Sequence, residues 1–130
     1  MDAPGFLVVD LTTPAEVPAG TTVPFVLSLT SRASRPLDLY LRGRTLTFDV
    51  EVTGPRGQAV WRLLEGEMIP AIVHLRTLAP GERIEVRAAW DQRRTDGRPA
   101  GPGAYVARGL LLLEGDPLAT APASFRIVEP

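Results

Sequence analysis

His74 is the single histidine in this chain of 130 residues. A Ser-His-Asp triad would have to run through it, and a metal site built from several imidazoles is excluded. The four serines, Ser28, Ser31, Ser34 and Ser124, lie in no G-x-S-x-G elbow. His74 falls in an alternating stretch, residues 71–76, on the same side as Arg76, so it is expected to face solvent in a structural role. Cysteine is absent, which rules out disulfides, thiolate nucleophiles and thiolate metal sites together. Carboxylates remain: Asp49 with Glu51 and Glu65 with Glu67 stand at i,i+2, the spacing of an acid–base pair on one strand face or within one loop. Calcium would need several oxygens on one constrained loop, and the chain holds no EF-hand and no Asp-x-Asp run. Asp49 and Glu51 are therefore expected on a solvated strand face. No cofactor, no metal and no enzymatic activity are expected.

Binding through loops is what the residue types leave. Gly54-Pro55-Arg56-Gly57 lacks the Lys-Ser/Thr of a phosphate loop and joins two strands instead of opening a helix. Arg93, Arg94 and Arg98 share a polar segment, residues 92–102, but Asp91 and Asp96 dilute their charge and no aromatic platform accompanies them, so nucleic acid is not an expected partner. The segment LEGEMIPA, residues 64–71, is different. It places apolar Met68 and Ile69 after Glu67 and before Pro70, in a passage too irregular for a strand. A stiff loop with an apolar tip is what a substrate-like inhibitor offers a protease cleft, because rigidity lowers the entropy cost of binding. Glu67, Met68, Ile69 and Pro70 are the candidate protein-binding residues. The plainer alternative has Met68 and Ile69 fold back over the end of the core.

The elements that would position this loop follow from two-residue alternation. Residues 45–90 organise the chain. TLTFDVEV sets Leu46, Phe48, Val50 and Val52 against Thr45, Thr47, Asp49 and Glu51, the mark of a strand buried on one face. Pro55 and the flanking glycines make a turn, and QAVWRL returns with Ala59, Trp61 and Leu63 on one side, closing a hairpin. After LEGEMIPA a second pair of strands is expected across Leu78-Ala79-Pro80-Gly81-Glu82, ending in ERIEVRAAW with Ile84, Val86, Ala88 and Trp90 aligned. Before this stretch come a short strand over residues 6–11, a loop broken by Pro14, Pro18 and Gly20, a strand carrying Phe25, Leu27 and Leu29, and LDLYL with Leu37, Leu39 and Leu41 inward. Pro24 costs its strand a ladder donor, so the start of that strand belongs at an edge or ahead of regular pairing. After it, PGAYVARGLLLLE restores a strand whose four consecutive leucines leave both faces apolar, as in a strand at the middle of a sheet or one covered by a loop. GDPLATAP is a break, and ASFRIVE ends the run with Phe125 and Ile127 aligned.

The sum is an all-β chain, an immunoglobulin-like antiparallel β-sandwich of about eight strands. Residues 1–130 form one domain, with residues 1–5 and 129–130 as loose ends. Gly103-Ala104-Tyr105 is placed like the tyrosine corner of such sandwiches, with Ala107 where a disulfide-bearing family has cysteine. Trp61 and Trp90 are expected in the core. Fourteen basic and fifteen acidic residues leave a net charge of −1, so no strong field draws nucleic acid or an anionic membrane. All the basic residues are arginine. The opening MDAPGFLVVDLTT has no basic leader or long apolar region, and no run approaches the ~18 apolar residues of a membrane span. A cytoplasmic protein, monomeric or weakly homo-oligomeric, is the expectation.

The run from Thr47 to Trp90 resembles the BsuPI family of bacterial intracellular proteinase inhibitors. The matching motifs are Phe48-Asp49-Val50, the turn glycine Gly57, Val60-Trp61-Arg62, Met68, Leu78-Ala79-Pro80-Gly81-Glu82 and Trp90, followed by Pro102-Gly103-Ala104-Tyr105 for the family's P-G-x-Y. Order and spacing agree over about two-thirds of the chain. This chain departs from the family's pattern at Arg42-Gly43-Arg44 in place of S-G-Q, at Ser31 in place of Asn, and at Leu63 and Leu64 where tryptophan or serine often follows V-W-R. The resemblance implies an immunoglobulin-like sandwich that inhibits an intracellular serine protease, and a target of subtilisin type, met through a loop at one end of the sandwich, is the expectation. It carries no inhibitory contact over to a particular residue. An interaction or scaffolding module without inhibitory activity, joined to a partner or its own copy through an exposed strand edge, is the alternative.

Overall fold

The computed structural model describes residues 3–130. Of the ends expected to be loose, Met1 and Asp2 lie outside the described residues. A helical turn, α1 (Ala3–Phe6), leads into eleven strands: β1 (Leu7–Thr12), β2 (Glu16–Pro18), β3 (Val23–Ser31), β4 (Leu37–Arg42), β5 (Phe48–Thr53), β6 (Ala59–Arg62), β7 (Val73–Leu78), β8 (Arg83–Trp90), β9 (Gly103–Leu111), β10 (Leu118–Ala119) and β11 (Ala123–Val128). One sheet has the order β1-β3-β8, a second runs β2-β11-β9-β5-β6 with β10 beside β9, and β4 pairs β7 as a two-stranded unit. The all-β sandwich expected from the alternation is what forms.

The core is the set of side chains that alternation points inward. Phe25, Leu27 and Leu29 of β3, Leu39 and Leu41 of β4, and Val50 and Val52 of β5 are fully buried, each stabilising the fold by roughly 1.5–3 kcal/mol relative to exposure. Between the sheets lies an aromatic cluster. Trp61 stacks on Phe25 (6.4 Å) and on Trp90 (5.7 Å), Trp90 meets Tyr105 edge-on (6.0 Å), and Tyr105 stacks on Phe125 (5.7 Å). Both tryptophans therefore serve the interior, Trp90 completely buried and Trp61 partly. Gly109 of β9 is closely packed: an added Cβ would lie 3.0 Å from Leu27 and 3.1 Å from Thr120, so those side chains would have to shift to admit it.

Tyr105 makes the corner expected of it. Its hydroxyl lies 2.8 Å from the carbonyl of Ala100 and 2.7 Å from that of Gly101, fastening residues 92–102 to β9. Burial pushes its phenol above the ordinary value, and Arg94 offsets part of this, so at neutral pH the group stays a protonated donor. Tyr105→Phe keeps the ring and loses the tie, and is expected to cost about 1 kcal/mol in a urea titration with unchanged m-value.

Several local expectations are corrected. β2 and β10 form where prolines suggested breaks. β2 is an edge strand, parallel to β11, where Pro18 removes no needed donor, and its neighbours Ala15 and Ala19 bond to Arg126 and Val128. The strands on either side of Leu78-Ala79-Pro80-Gly81-Glu82 do not pair with each other. β7 pairs β4 and β8 pairs β3, so this turn passes the chain from one sheet to another, closed by Glu82, which accepts from the Ala79 N–H through its carboxylate (2.9 Å) and donates its own N–H back to the Ala79 carbonyl. In the β5–β6 hairpin a register shift at Val52/Thr53 buries Val60 and leaves Ala59 exposed. Pro24 lies beyond the reach of β1, whose pairing ends at Val26, while β8 pairs alongside it.

Candidate functional site

β6 runs antiparallel to β5, so its exit at Arg62 lies at the end of the sheet opposite the 54–57 turn. From there residues 63–72 form the irregular connection to β7. Its first part is tightly turned: the Leu63 N–H donates to Val50 O (3.0 Å), Glu65 N–H to Arg62 O (3.3 Å) and Glu67 N–H to Leu64 O (2.9 Å). Gly66, at φ +76°, takes the left-handed conformation this tight turn needs. The far end is held at Gly43, whose N–H donates to Ile72 O (2.8 Å) and whose carbonyl accepts from Nδ1 of His74 (2.7 Å). Gly43 is itself left-handed at φ +104°, and a Cβ there would lie 2.8 Å from the Thr47 hydroxyl and 3.6 Å from Ile69. Any side chain there would strain the backbone and displace the Thr47 hydroxyl.

Asp49 departs most from the sequence expectation. It is not on a solvated face: it is 1% exposed. Its Oδ1 accepts from the N–H groups of Val50 (2.9 Å) and Leu64 (3.0 Å), and its Oδ2 from Nε (3.0 Å) and Nη2 (2.6 Å) of Arg62. The chain leaving β6 folds back over that side of β5 and shields the carboxylate. Four donors then compensate its lost hydration. The bond from Asp49 raises the Arg62 guanidinium above its ordinary range. Glu51 and Glu65 stand further from Arg62, each at 3.9 Å. Asp49 and Glu51 thus share the Arg62 guanidinium at very different distances, and the Asp49 carboxylate already accepts four hydrogen bonds.

Of the four candidate binding residues, Glu67 and Met68 are exposed while Ile69 and Pro70 are half-buried. Met68 stands out at 94% exposed, so it does not fold back over the core. Ile69 is turned toward Gly43. His74, expected in solvent, is half-buried and tied to Gly43, because its strand pairs β4 instead of β8. Other exposed apolar side chains follow the loop: Ile72, Val73 and Leu75, with Tyr40 opposite Leu75 on β4. The arginine-bearing segment is ordered by its own bonds, Arg94 N–H to Arg98 O and Arg93 Nη1 to Gly97 O. Gln92, which sequence reasoning passed over, is buried there at φ +65°. Its amide donates to Pro18 O (2.9 Å) and accepts from Gly20 N–H (3.1 Å).

Among the described residues no group of three or more His, Cys, Asp or Glu is placed to hold a metal ion, and no helix is long and apolar enough to cross a membrane. Shallow depressions occur beside Tyr105 and Arg126, and beside Arg94 and Asp96. Neither sets a nucleophile against a base.

A family model described as BsuPI, intracellular proteinase inhibitor, matches residues 12–115. No curated protein matches the sequence. Among solved structures, the dimeric latent PorU of Porphyromonas gingivalis superposes with a TM-score of 0.58 at 21% identity, over 95% of this chain and 10% of that one. The alkylpurine DNA glycosylase AlkC of Pseudomonas fluorescens, bound to DNA containing an abasic site analog, gives 0.53 at 19% identity, over 95% of this chain, which spans 30% of the glycosylase. The CARDB domain of PF1109 from Pyrococcus furiosus gives 0.50 at 12% identity, over 96% of both chains. At these identities the likeness is one of fold.

Proposed function

This chain belongs to the BsuPI family of intracellular proteinase inhibitors, and on that premise we propose that it is a non-enzymatic cytoplasmic protein that blocks a subtilisin-type serine protease with the loop of residues 63–72. Met68 enters the apolar specificity pocket, flanked by Glu67, Ile69 and Pro70. The observation that carries this reading is a fully presented apolar side chain, 94% exposed, on a segment bonded to the sandwich at both ends. Free apolar side chains are normally mobile and costly to order, and a loop held in its bound shape avoids much of that cost. The strand order, with β1-β3-β8 opposite β2-β11-β9-β5-β6, and the Tyr105 corner support an immunoglobulin-like reading of the scaffold. The test is direct: a purified subtilisin-type enzyme mixed with this protein should lose its turnover of a small peptide substrate near equimolar ratio. Undiminished turnover at micromolar excess would overturn the proposal.

A second reading, an interaction module without inhibitory activity, is favoured by one feature. The carbonyl of Ile72 faces β4, so by alternation the backbone groups of Val73, Leu75 and Thr77 point away from it. Among the described residues β7 pairs no other strand, and Leu75 is 56% exposed. An unpaired edge with an apolar strip is a site for strand addition. Light scattering showing a concentration-dependent dimer, together with no inhibition, is the outcome this second reading expects.

A further inference from the structure

We infer that Asp49, acting with Arg62, is the positioning residue that decides whether the 63–72 loop behaves as an inhibitor or as a substrate; this rests on the inhibitory reading of that loop. Asp49 lies at the point where the chain leaves β6. The Leu63 N–H still finds a backbone carbonyl, that of Val50. One residue later the ladder has no carbonyl to offer, and the Asp49 side chain replaces it, accepting the Leu64 N–H at 3.0 Å. Leu64 in turn accepts the N–H of Glu67, the residue before Met68. Arg62 closes the other side of the ring: its guanidinium holds Asp49 at 2.6 Å and its carbonyl accepts the Glu65 N–H. An unbroken run of hydrogen bonds therefore connects a carboxylate inside the fold to the residue beside the exposed tip.

A protease cuts a bound segment that can relax after acylation and fails to cut one whose ends stay in register. Releasing the Leu64 and Arg62 bonds frees the N-terminal half of the loop while the Gly43 anchor still holds the other half. Asp49→Asn is disruptive for a specific reason. Whichever oxygen becomes an amide, a donor then faces donors: Val50 and Leu64 on one side, Arg62 on the other.

The test compares wild type, Asp49→Asn and Val52→Ala, a buried position on the same strand whose loss destabilises the fold without touching these bonds. All are studied at a temperature where circular dichroism shows them folded. In the free proteins, amide exchange at Leu64 and Glu67 should quicken about 10–100-fold in Asp49→Asn and not in Val52→Ala. With protease added, Asp49→Asn should inhibit about 10–100-fold more weakly and mass spectrometry should find it cut within residues 64–71. If Asp49→Asn does not fold, Arg62→Gln, on a half-exposed side chain, takes its place: it removes the donors on Oδ2 and leaves Leu64 on Oδ1, so exchange at Leu64 and Glu67 should quicken by less, about 3–10-fold. Unchanged exchange at Leu64 and Glu67 overturns the inference, as does quickened exchange with unchanged inhibition and an intact loop. If the wild type does not inhibit at all, the functional reading falls instead, and the exchange rates still report whether Asp49 holds the loop.

Discussion

Replacing Trp90 by alanine is expected to cost roughly 4 kcal/mol, within the range for large aromatic truncations in a core that cannot collapse. Trp90 is the largest fully buried side chain of the aromatic cluster, touching Trp61 and Tyr105 and lying 6.3 Å from Phe125. It also ties a loop: its Nε1–H donates to the carbonyl of Arg93 (2.8 Å). The substitution removes the stacking, opens a cavity between the sheets and strands that carbonyl. Because a domain of this size is stable by only about 5–15 kcal/mol, the loss is a large share of the total and should lower the Tm by roughly 10–20 °C. Trp90→Phe keeps part of the ring contact and should cost less than half as much. Guanidinium unfolding followed by far-ultraviolet circular dichroism checks both, since the fluorescence changes with the indole itself. A loss below about 2 kcal/mol for Trp90→Ala would mean that the sheets close around the gap.

The alternation that predicts this core is legible in the sequence because it is a one-dimensional record of a one-sided environment. β4 reads buried-exposed along its length, and β9 takes the mid-sheet place its leucines suggest, between β11 and β5, although only its Tyr105–Leu111 face is buried and Arg108 on the other face is exposed. The same rule misplaces Asp49, because it assumes that the second face of β5 meets water. What covers that face is the chain after Arg62, whose path depends on Gly66 and on contacts distant in sequence. One signal was present: an aspartate in the middle of an apolar strand and an arginine returning across a four-residue turn are close enough to pair. Simple cross-strand register assigns Arg62 to Glu51, and only the geometry shows the guanidinium preferring the buried carboxylate. Gly43 was similarly hidden, since its left-handed conformation and its bonds to Ile72 and His74 arise from β7 pairing β4, whereas the sequence suggested a pairing with β8. The exposed Met68 was legible as a candidate, but whether it pointed in or out was not, because an apolar residue before a proline fits either orientation.

Met68→Asp is expected to weaken inhibition about a thousand-fold or more. Two effects add. The contact loses the burial of a methionine side chain, worth roughly 1.5–3 kcal/mol, and it gains a carboxylate that must either shed its water in an apolar pocket or stay out of it, a penalty of at least a few kcal/mol; each 1.4 kcal/mol is a factor of ten. Met68→Leu, which conserves volume and polarity, should remain within about ten-fold of wild type. Neither change should move the Tm by more than about a degree, because the side chain is 94% exposed and makes no side-chain hydrogen bond in the described residues. That separation gives the measurement its force: a fall in potency at constant stability assigns the contact to the tip of the loop. Should Met68→Asp inhibit as well as wild type, the tip of the loop is cleared of the contact, and the exposed Ile72, Val73 and Leu75 become the next side chains to replace.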